Sequence, residues 1–320
     1  MPRGLVATAL AVLVLLAALP ALAQPLPGLK ILIPANPGGG WDQTGRAMEQ
    51  ALRAEKLVTG AIRLTNRGGA GGTIGLAEFA KAKGEGGSLM VMGLLMVGAI
   101  LTNKSPVTLQ ATTPIARLTS EYEVIAVPAA SRFKSLKDLT DALKADPGAV
   151  AITGGSRGGT DHILAALIAE AVGVPGAKVN YVAYAGGGEA VAALLGAQVA
   201  AGISGYGEFQ QHIESGKLRA LAISSPTRTA GINVPTLKEQ GLDIEFGNWR
   251  GVVAPEGIPA ADRKGLLDTI DRLAKSGTWK EVLKKQNWDD AYLGGDAFAA
   301  FLKAENDRVS KVLQNVGLLK

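Results

Sequence analysis

Short apolar segments alternate with helical ones from residue 29 to the end of the chain. The segments with a strand pattern are residues 29–33, 61–65, 89–92, 149–153, 179–184, 199–204 and 218–224. Apolar positions at helical spacing predict helices at residues 76–83, 161–172, 189–195 and 298–316, and a first helix that Asp42 can cap, with Ala47, Met48, Ala51 and Leu52 on one face. This alternation predicts an α/β fold with largely parallel sheets.

Two longer β-rich stretches, residues 115–127 and 248–254, contain few glycines that would bend them. They stand where the chain would cross between two lobes. If both are crossings, residues 24–124 plus 247–320 form lobe 1 and residues 125–246 form lobe 2. A hinge at the crossings would let the lobes close on a ligand.

The first residues have the pattern of a secretory signal peptide, residues 1–23. Arg3 precedes an apolar run from Leu5 to Leu19, and Ala21-Leu22-Ala23 supplies a cleavage site before Gln24. The alternative is an uncleaved anchor, but the run is shorter than the roughly 20 residues that a membrane span needs. The pattern therefore predicts export.

Composition narrows the classes of protein further. The chain has 47% hydrophobic and 19% charged residues, which favours a sizeable core and excludes general disorder. It has no cysteine, which excludes disulfides and thiolate chemistry. The net charge is +5, but the basic residues are scattered, so no nucleic-acid partner is predicted. A mildly positive field favours an anionic ligand.

The placement of the glycines along the chain indicates which kind of ligand the protein could bind. Four clusters each stand between a predicted strand and a predicted helix, at residues 37–42, 68–73, 154–160 and 186–189. Such loops turn backbone N–H groups toward a ligand at the positive end of a helix dipole, which makes an anion site. In the third loop Thr160 is the expected N-cap, and His162 could donate to the same anion. The alternative is that each cluster is an ordinary tight turn.

Enzymatic interpretations of these loops find less support. Residues 154–158 match the G-x-S-x-G pattern around Ser156, yet His162 is too close in sequence for a triad and His212 has no well-placed aspartate before it. Asp161 and His162 lack a third metal ligand at a recognisable spacing. A dinucleotide fingerprint fails because Ile74 stands where a glycine is needed. We therefore expect no catalysis, cofactor or metal, with a serine hydrolase as the alternative.

Several segments resemble the substrate-binding receptors of tripartite tricarboxylate transporters, the Bug-type proteins. They are residues 33–42 (IPANPGGGWD), 66–75 (NRGGAGGTIG), 121–124 (EYEV), 181–188 (YVAYAGGG), 234–241 (VPTLKEQG) and 248–255 (NWRGVVAP). The resemblance implies a type II periplasmic-binding-protein fold, with two α/β lobes that close on a small carboxylate. It also implies a periplasmic location and delivery to a membrane permease with a large and a small subunit. A sensor-associated binding protein is a further alternative.

The resemblance also implies which residues bind the ligand. They come from loops of both lobes and are Gly38, Gly39, Gly40, Trp41, Asp42, Ala70, Gly71, Gly72, Thr73, Ser156, Thr160, His162, Gly186, Gly187 and Gly188. Trp41 resembles the subgroup associated with citrate and other tricarboxylates, so citrate or a relative is the predicted solute; the alternative is packing against the hinge. Arg250 has two interpretations as well, a grip on an extra carboxylate or a salt bridge between the lobes.

Overall fold

The computed structural model describes residues 24–319, so the predicted signal peptide lies outside the described residues. The strands are β1 (Leu29–Ile33), β2 (Ile62–Asn66), β3 (Ser88–Gly93), β4 (Thr112–Pro128), β5 (Ile152–Gly154), β6 (Tyr181–Ala183), β7 (Ala201–Gly205), β8 (Leu218–Ile223), β9 (Gly247–Pro255) and β10 (Asp289–Gly294). The helices are α1 (Gly40–Ala54), α2 (Thr73–Phe79), α3 (Leu94–Thr102), α4 (Leu136–Ala145), α5 (Thr160–Ala171), α6 (Gly187–Leu195), α7 (Tyr206–Glu214), α8 (Ala260–Lys275), α9 (Gly277–Gln286) and α10 (Gly295–Asn315).

Two sheets share the long strand β4. The first has the order β2-β1-β3-β9-β4, with β10 also on β4, and the second has the order β4-β7-β5-β6, with β8 also on β4. The switch between sheets is abrupt, because Tyr122 pairs with Gly247 of β9 and the next residue, Glu123, pairs with Gly205 of β7. Each sheet with its helices forms one lobe, and the predicted α/β fold with two lobes is confirmed.

Strand direction differs from the expectation. The pairs β1·β2, β1·β3, β5·β6 and β5·β7 are parallel, as predicted. Every pair that includes β4 or β9 is antiparallel. The reason is that β4 and β9 run along the predicted crossings. They run opposite to the neighbouring strands that belong to strand–helix–strand units. The sheets are therefore mixed, and β9 pairs only in the first of them.

Two predicted helix caps are wrong. The N-cap of α1 is Gly39 and that of α5 is Gly159, both in extended backbone conformations. Helix α1 therefore begins at Gly40, before Asp42, and Thr160 is the first residue of α5 and not its cap. Asp42 lies inside the first turn, where its Oδ2 accepts the N–H of Gly38 at 3.1 Å. The glycines themselves make the turn from loop to helix, so neither cap residue supplies a side chain to accept the first amides.

The core fills both lobes on either side of β4. All six residues of β3 are buried, as expected for a strand covered on both faces. Trp279 of α9 and Phe298 of α10 are fully buried against the first sheet's core, whereas a smaller cluster around Phe209 and Ile223 belongs to the second. Within residues 24–319, no helix is both long enough and apolar enough to cross a membrane.

Candidate functional site

Loops from both lobes line one cavity between the sheets. The N-termini of α1, α5 and α6 converge on it, together with the 3-10 turn Ala70–Gly72 that precedes α2. The space inside is about 60 Å³, enough for only a few water molecules. The positive ends of three helix dipoles thus surround a small volume, which is an environment that favours a negative charge.

The glycine loops of α1 and α6 touch each other. A Cβ on Gly39 would lie 2.8 Å from the backbone nitrogen of Gly187, and one on Gly38, whose φ is +94°, would lie 3.2 Å from the Cα of Gly188. Any side chain there would force the loops apart. The contact is reinforced by Asn36, whose backbone N–H donates to the carbonyl of Ala185 at 3.2 Å. The structure is therefore that of a closed cleft.

A second contact closes the opposite side of the cavity. A Cβ on Gly98 of α3 would overlap the carbonyl oxygen of Gly158 in the loop before α5. The Thr102 hydroxyl lies 3.4 Å from the carbonyl oxygen of Arg157, and the Thr160 hydroxyl lies 3.3 Å from Asn248 Oδ1 on β9. Both sides of the cleft are thus held by short contacts between backbone and small side chains.

About half of the predicted binding residues line the cavity. They are Gly39, Gly40, Trp41, Gly71, Gly72, Ser156, Gly186 and Gly187. Trp41 is 7% exposed and has two contacts: a Cβ on Gly72 would lie 2.7 Å from its ring, and one on Gly93 would lie 3.2 Å from its Nε1. Its indole therefore packs against the end of β3 and also forms part of the cavity wall, and whether it touches a ligand stays a prediction.

The other predicted residues lie behind the wall and shape the loops. They are Gly38, Asp42, Ala70, Thr73, Thr160, His162 and Gly188. Asp42 accepts from Arg46 at 2.9 Å and from Asn66 at 3.0 Å, and the Thr73 hydroxyl donates to the Ala70 carbonyl at 2.9 Å. Whether any of them touches a ligand stays a prediction.

His162 is held as a neutral acceptor. Its Nδ1 accepts the N–H of Gly158 at 3.0 Å, and its ring stacks on Tyr181 with 4.3 Å between the ring centroids. Burial, with the nearby positive charge of Arg157, lowers the pKa of His162 to about 4. The imidazole therefore fixes the glycine loop before α5 and carries no charge at neutral pH.

Arg250 is paired on one side and unpartnered on the other. It is 2% exposed and forms a buried ion pair with Glu121 of β4, whose other oxygen accepts from Trp288 Nε1 at 2.9 Å. The guanidinium lies against the N-terminus of α1, where a Cβ on Gly40 would overlap it. Its Nη1 finds no hydrogen-bond partner in residues 24–319, and Arg250 lines the cavity. It is a buried, salt-bridged residue in the cavity wall with one donor that no described residue accepts.

Acidic side chains stand opposite that arginine. Asp161 of α5 and Glu208 of α7 line the cavity, and Glu123 of β4 is fully buried, with neither oxygen hydrogen-bonded to a described residue. Burial raises the pKa of Asp161 to about 6 and that of Glu208 to about 8, and it raises the pKa of Glu123 well above its ordinary value. The cavity wall and the interior behind it therefore carry carboxyl groups that burial favours in the neutral form.

The geometry around Ser156 does not form a triad. Its hydroxyl lies 3.5 Å from the carbonyl oxygen of Tyr184, and the Nδ1 of His162 is already engaged by Gly158. Within the described range, 24–319, no cluster of three or more histidine or acidic side chains is arranged to hold a metal ion. The arrangement supports binding of an anion.

Sequence reasoning missed several wall residues. Glu208, Asn248, Ser204 and Leu95 line the cavity from α7, β9, β7 and α3. Asn248 lies in the segment NWRGVVAP but was not predicted to bind, and no motif indicated the other three. From the sequence, Asp161 was not predicted to contact a ligand and appeared only as half of a possible metal-binding pair with His162. Its position directly after a glycine loop was the one available signal, because the first turn of such a helix faces the same cleft as the loop.

Comparison with known proteins agrees with this architecture. Residues 46–318 match the family model described as "Tripartite tricarboxylate transporter family receptor". The chain is 30% identical to BugT of Bordetella pertussis over 295 residues, which cover 90% of this chain and 89% of that protein.

Solved structures show the same fold. The periplasmic binding protein BugD superposes with a TM-score of 0.84 at 23% identity, covering 93% of this chain and all of BugD. MatC from Rhodopseudomonas palustris with bound malate gives 0.79 at 22% identity, and an R. palustris protein with adipate gives 0.80 at 21%. These two matches each cover 91% of this chain and 100% and 97% of the respective structures. From its family match and its relative, the chain belongs to the tripartite tricarboxylate transporter receptor family.

Proposed function

We propose that this chain is a periplasmic receptor that captures a small carboxylate between its lobes and delivers it to a membrane permease with a large and a small subunit. The observation that carries the proposal is the closed cavity where three helix N-termini meet beside the buried guanidinium of Arg250. Charge-assisted hydrogen bonds to such donors contribute roughly 1.5–3 kcal/mol each, so three or four can hold a carboxylate. Family membership and the bound malate and adipate of the structural neighbours support the same class of solute.

The lobes of the working receptor are residues 24–124 plus 247–320 and residues 125–246. Support for this division comes from β4, whose pairing changes sheets between Tyr122 and Glu123. A strand that belongs to both sheets can flex at that point and leave each sheet intact. Ligand contacts made from both lobes then favour the closed form.

Within the carboxylates, citrate or a related tricarboxylate is the proposed solute. The support is Trp41, which forms part of the cavity wall beside Gly72. The enclosed space of about 60 Å³ is too small for such a solute, so the cleft must open and then close less tightly around it. Water-bridged contacts at the glycine loops would fill the remaining gaps.

Capture takes place without chemistry. The Ser156 hydroxyl faces a carbonyl oxygen, and the neighbouring imidazole is used as an acceptor by the loop backbone. A hydrolase would require a base and an orienting carboxylate at the serine. Ester hydrolysis that is lost in Ser156→Ala would overturn this part of the proposal.

The first test is a thermal-shift and calorimetry screen of residues 24–320, stripped of ligand, against tri-, di- and monocarboxylates, amino acids and nucleotides. We expect a selective rise in melting temperature with a carboxylate, because a ligand that binds only the folded state stabilises it. Gly187→Leu, which places a side chain against Gly39, should abolish the rise, whereas Gly277→Leu, at a glycine with nothing within 4 Å, should keep it. No response to any carboxylate would overturn the proposal.

A further inference from the structure

The carboxyl group of Glu208 lies among the donors of the proposed anion site. Its side chain is 7% exposed, and its Oε2 is 3.6 Å from the position of a Cβ on Gly39 and even closer to that of one on Gly187. These are the glycines whose loops bring the N-termini of α1 and α6 to the cavity. Glu208 therefore stands where a bound carboxylate would be held.

Charged and polar groups face Glu208 from every element packed around it. From β9, Arg250 Nη2 lies 3.7 Å from Glu208 Oε1, but the guanidinium is already paired with Glu121 of β4. The negative charge of Asp161 on α5 acts on Glu208, and Glu208 in turn acts on buried Glu123.

Two donors also contact it: the Ser204 hydroxyl of β7 and the Gly40 N–H of α1. Apart from Arg250, the ionisable groups near Glu208 are therefore acids. Burial is the largest effect and raises the pKa of Glu208 to about 8, with Asp161 adding to the rise and the two donors opposing it.

An anionic solute adds at least one more negative charge to this acidic environment of Glu208. An ionised Glu208 would repel it, since like charges at hydrogen-bond distance in a desolvated cleft cost several kcal/mol. A protonated Glu208 has the opposite effect, because its O–H can donate a short hydrogen bond to the solute. Only the protonated form makes Glu208 compatible with the site described above.

We propose that Glu208 binds the solute in its protonated form, donating its O–H to the captured carboxylate, so that closure of the cleft on an anion takes up a proton from solvent. The inference rests on the proposed function and adds a residue and a proton to it. In the open form we expect Glu208 to face water, so that its pKa moves back toward the ordinary range of a carboxyl group. In the closed, loaded form the proton is retained, and the two states differ in the number of protons bound.

The sign of the pH dependence follows from this difference. A group whose pKa rises on binding strengthens binding at low pH and weakens it as the pH rises toward the bound-state pKa. Affinity should therefore fall by up to about tenfold per pH unit in that interval. Measurements between about pH 6.5 and 8.5 are suitable, because they lie above the pKa of about 6 for Asp161.

The experiment is calorimetry with malate, adipate and citrate at both ends of this range, in two buffers of different ionisation heat. Malate and adipate are fully ionised throughout, so proton uptake reports the protein. We expect uptake of up to about one proton per ligand at the lower pH and at least about tenfold weaker binding at the higher pH. Glu208→Gln, whose amide donates without taking up a proton, should bind at least as tightly as the parent at the lower pH and lose the pH dependence, whereas Glu208→Ala should bind weakly at both. The control Glu214→Gln, on the exposed end of the same helix, should behave like the parent.

Three results would overturn the inference. Carboxylate binding without proton uptake would show that Glu208 does not change protonation. A loss of tenfold or more in Glu208→Gln would show that the ionised carboxylate is needed, as for a solute that carries an ammonium group. Failure of every carboxylate to bind both the parent and Glu208→Gln would remove the proposed function, and this inference with it.

Discussion

Asn36 and Ala185 join the two lobes through their backbones, with the N–H of Asn36 donating to the carbonyl of Ala185 at 3.2 Å. The side chain of Asn36 adds a second bond across the cleft, from Nδ2 to Glu189 Oε1 at 2.9 Å. The backbone bond needs no particular side chain, but it requires the glycine loops beside it to approach closely. The side-chain bond can be changed by mutation, so it offers a way to measure what closure contributes.

Asn36→Asp should weaken ligand binding. The change places a carboxylate against that of Glu189 whenever the cleft closes, and repulsion between partly exposed charges costs up to about 1 kcal/mol, or about fivefold in affinity. Calorimetry with the best carboxylate from the screen measures it. Asn36→Asp combined with Glu189→Gln removes the repulsion and should restore binding; equal affinities in all three proteins would show that this pair does not contribute to closure.

Gly40→Ala should destabilise the ligand-free protein although alanine is the better helix residue. Gly40 is the first residue of α1, and a Cβ there would overlap the guanidinium of Arg250 and push it from Glu121. We expect a loss of about 1–3 kcal/mol, as for overpacking in a dense interior. Gly277→Ala is the matched control, since Gly277 is also the first residue of a helix but has nothing within 4 Å. Urea unfolding compares them, and equal stability would contradict the overlap.

Glu121→Ala should be among the costliest single changes. It leaves the positive charge of Arg250 buried without its partner and also removes the acceptor of Trp288. Breaking a buried ion pair on one side costs about 3–5 kcal/mol. Asp141→Ala, which breaks the exposed pair with Lys137, should cost less than about 1 kcal/mol. If the two variants unfold at the same urea concentration, Arg250 does not depend on Glu121.

The unfolding free energy of the protein saturated with a carboxylate ligand, in which the closed form prevails, should fall as the pH rises from about 6.5 to 8.5. The folded-state pKa of Glu208 is raised by burial to about 8, so its contribution is complete below the unfolded value of 4.5 and disappears as the pH passes through 8. His162 acts in the opposite direction, because burial lowers its pKa to about 4. Its effect is to reduce the unfolding free energy only as the pH falls below the ordinary histidine value of 6.5, outside the range of this experiment. Glu208→Gln should flatten the decline in urea titrations, and an unchanged slope would assign it to other groups.

Strands and glycine-led helices could be predicted because their signals are local. The β-rich run predicted at residues 115–127 is the core of β4, and the run at 248–254 is nearly all of β9. Helix α3 was missed because Leu94–Thr102 is apolar on every side and has no helical periodicity, as befits a helix buried between the lobes. Helix α4 carried a readable signal, the capping box of Ser135 and Asp138, that was overlooked.

The site could be predicted only where the backbone supplies it. Glycine loops indicated Gly39, Gly71 and Gly187, because amide donors at helix starts are visible in sequence. The acidic wall could not be predicted, since Glu208 sits in a helix of ordinary composition and reaches the cavity through the way that α7 packs on β4. The protonation of a buried carboxyl depends on what surrounds it, and sequence spacing does not contain that information.

The position of β9 between β3 and β4 also affects how the molecule is made. The first sheet stays incomplete, with β3 and β4 lacking their shared neighbour, until residues 247–255 have been synthesised. Strand pairing over such separations forms slowly. A chain that is still emerging from the ribosome therefore cannot complete its first sheet until β9 is available.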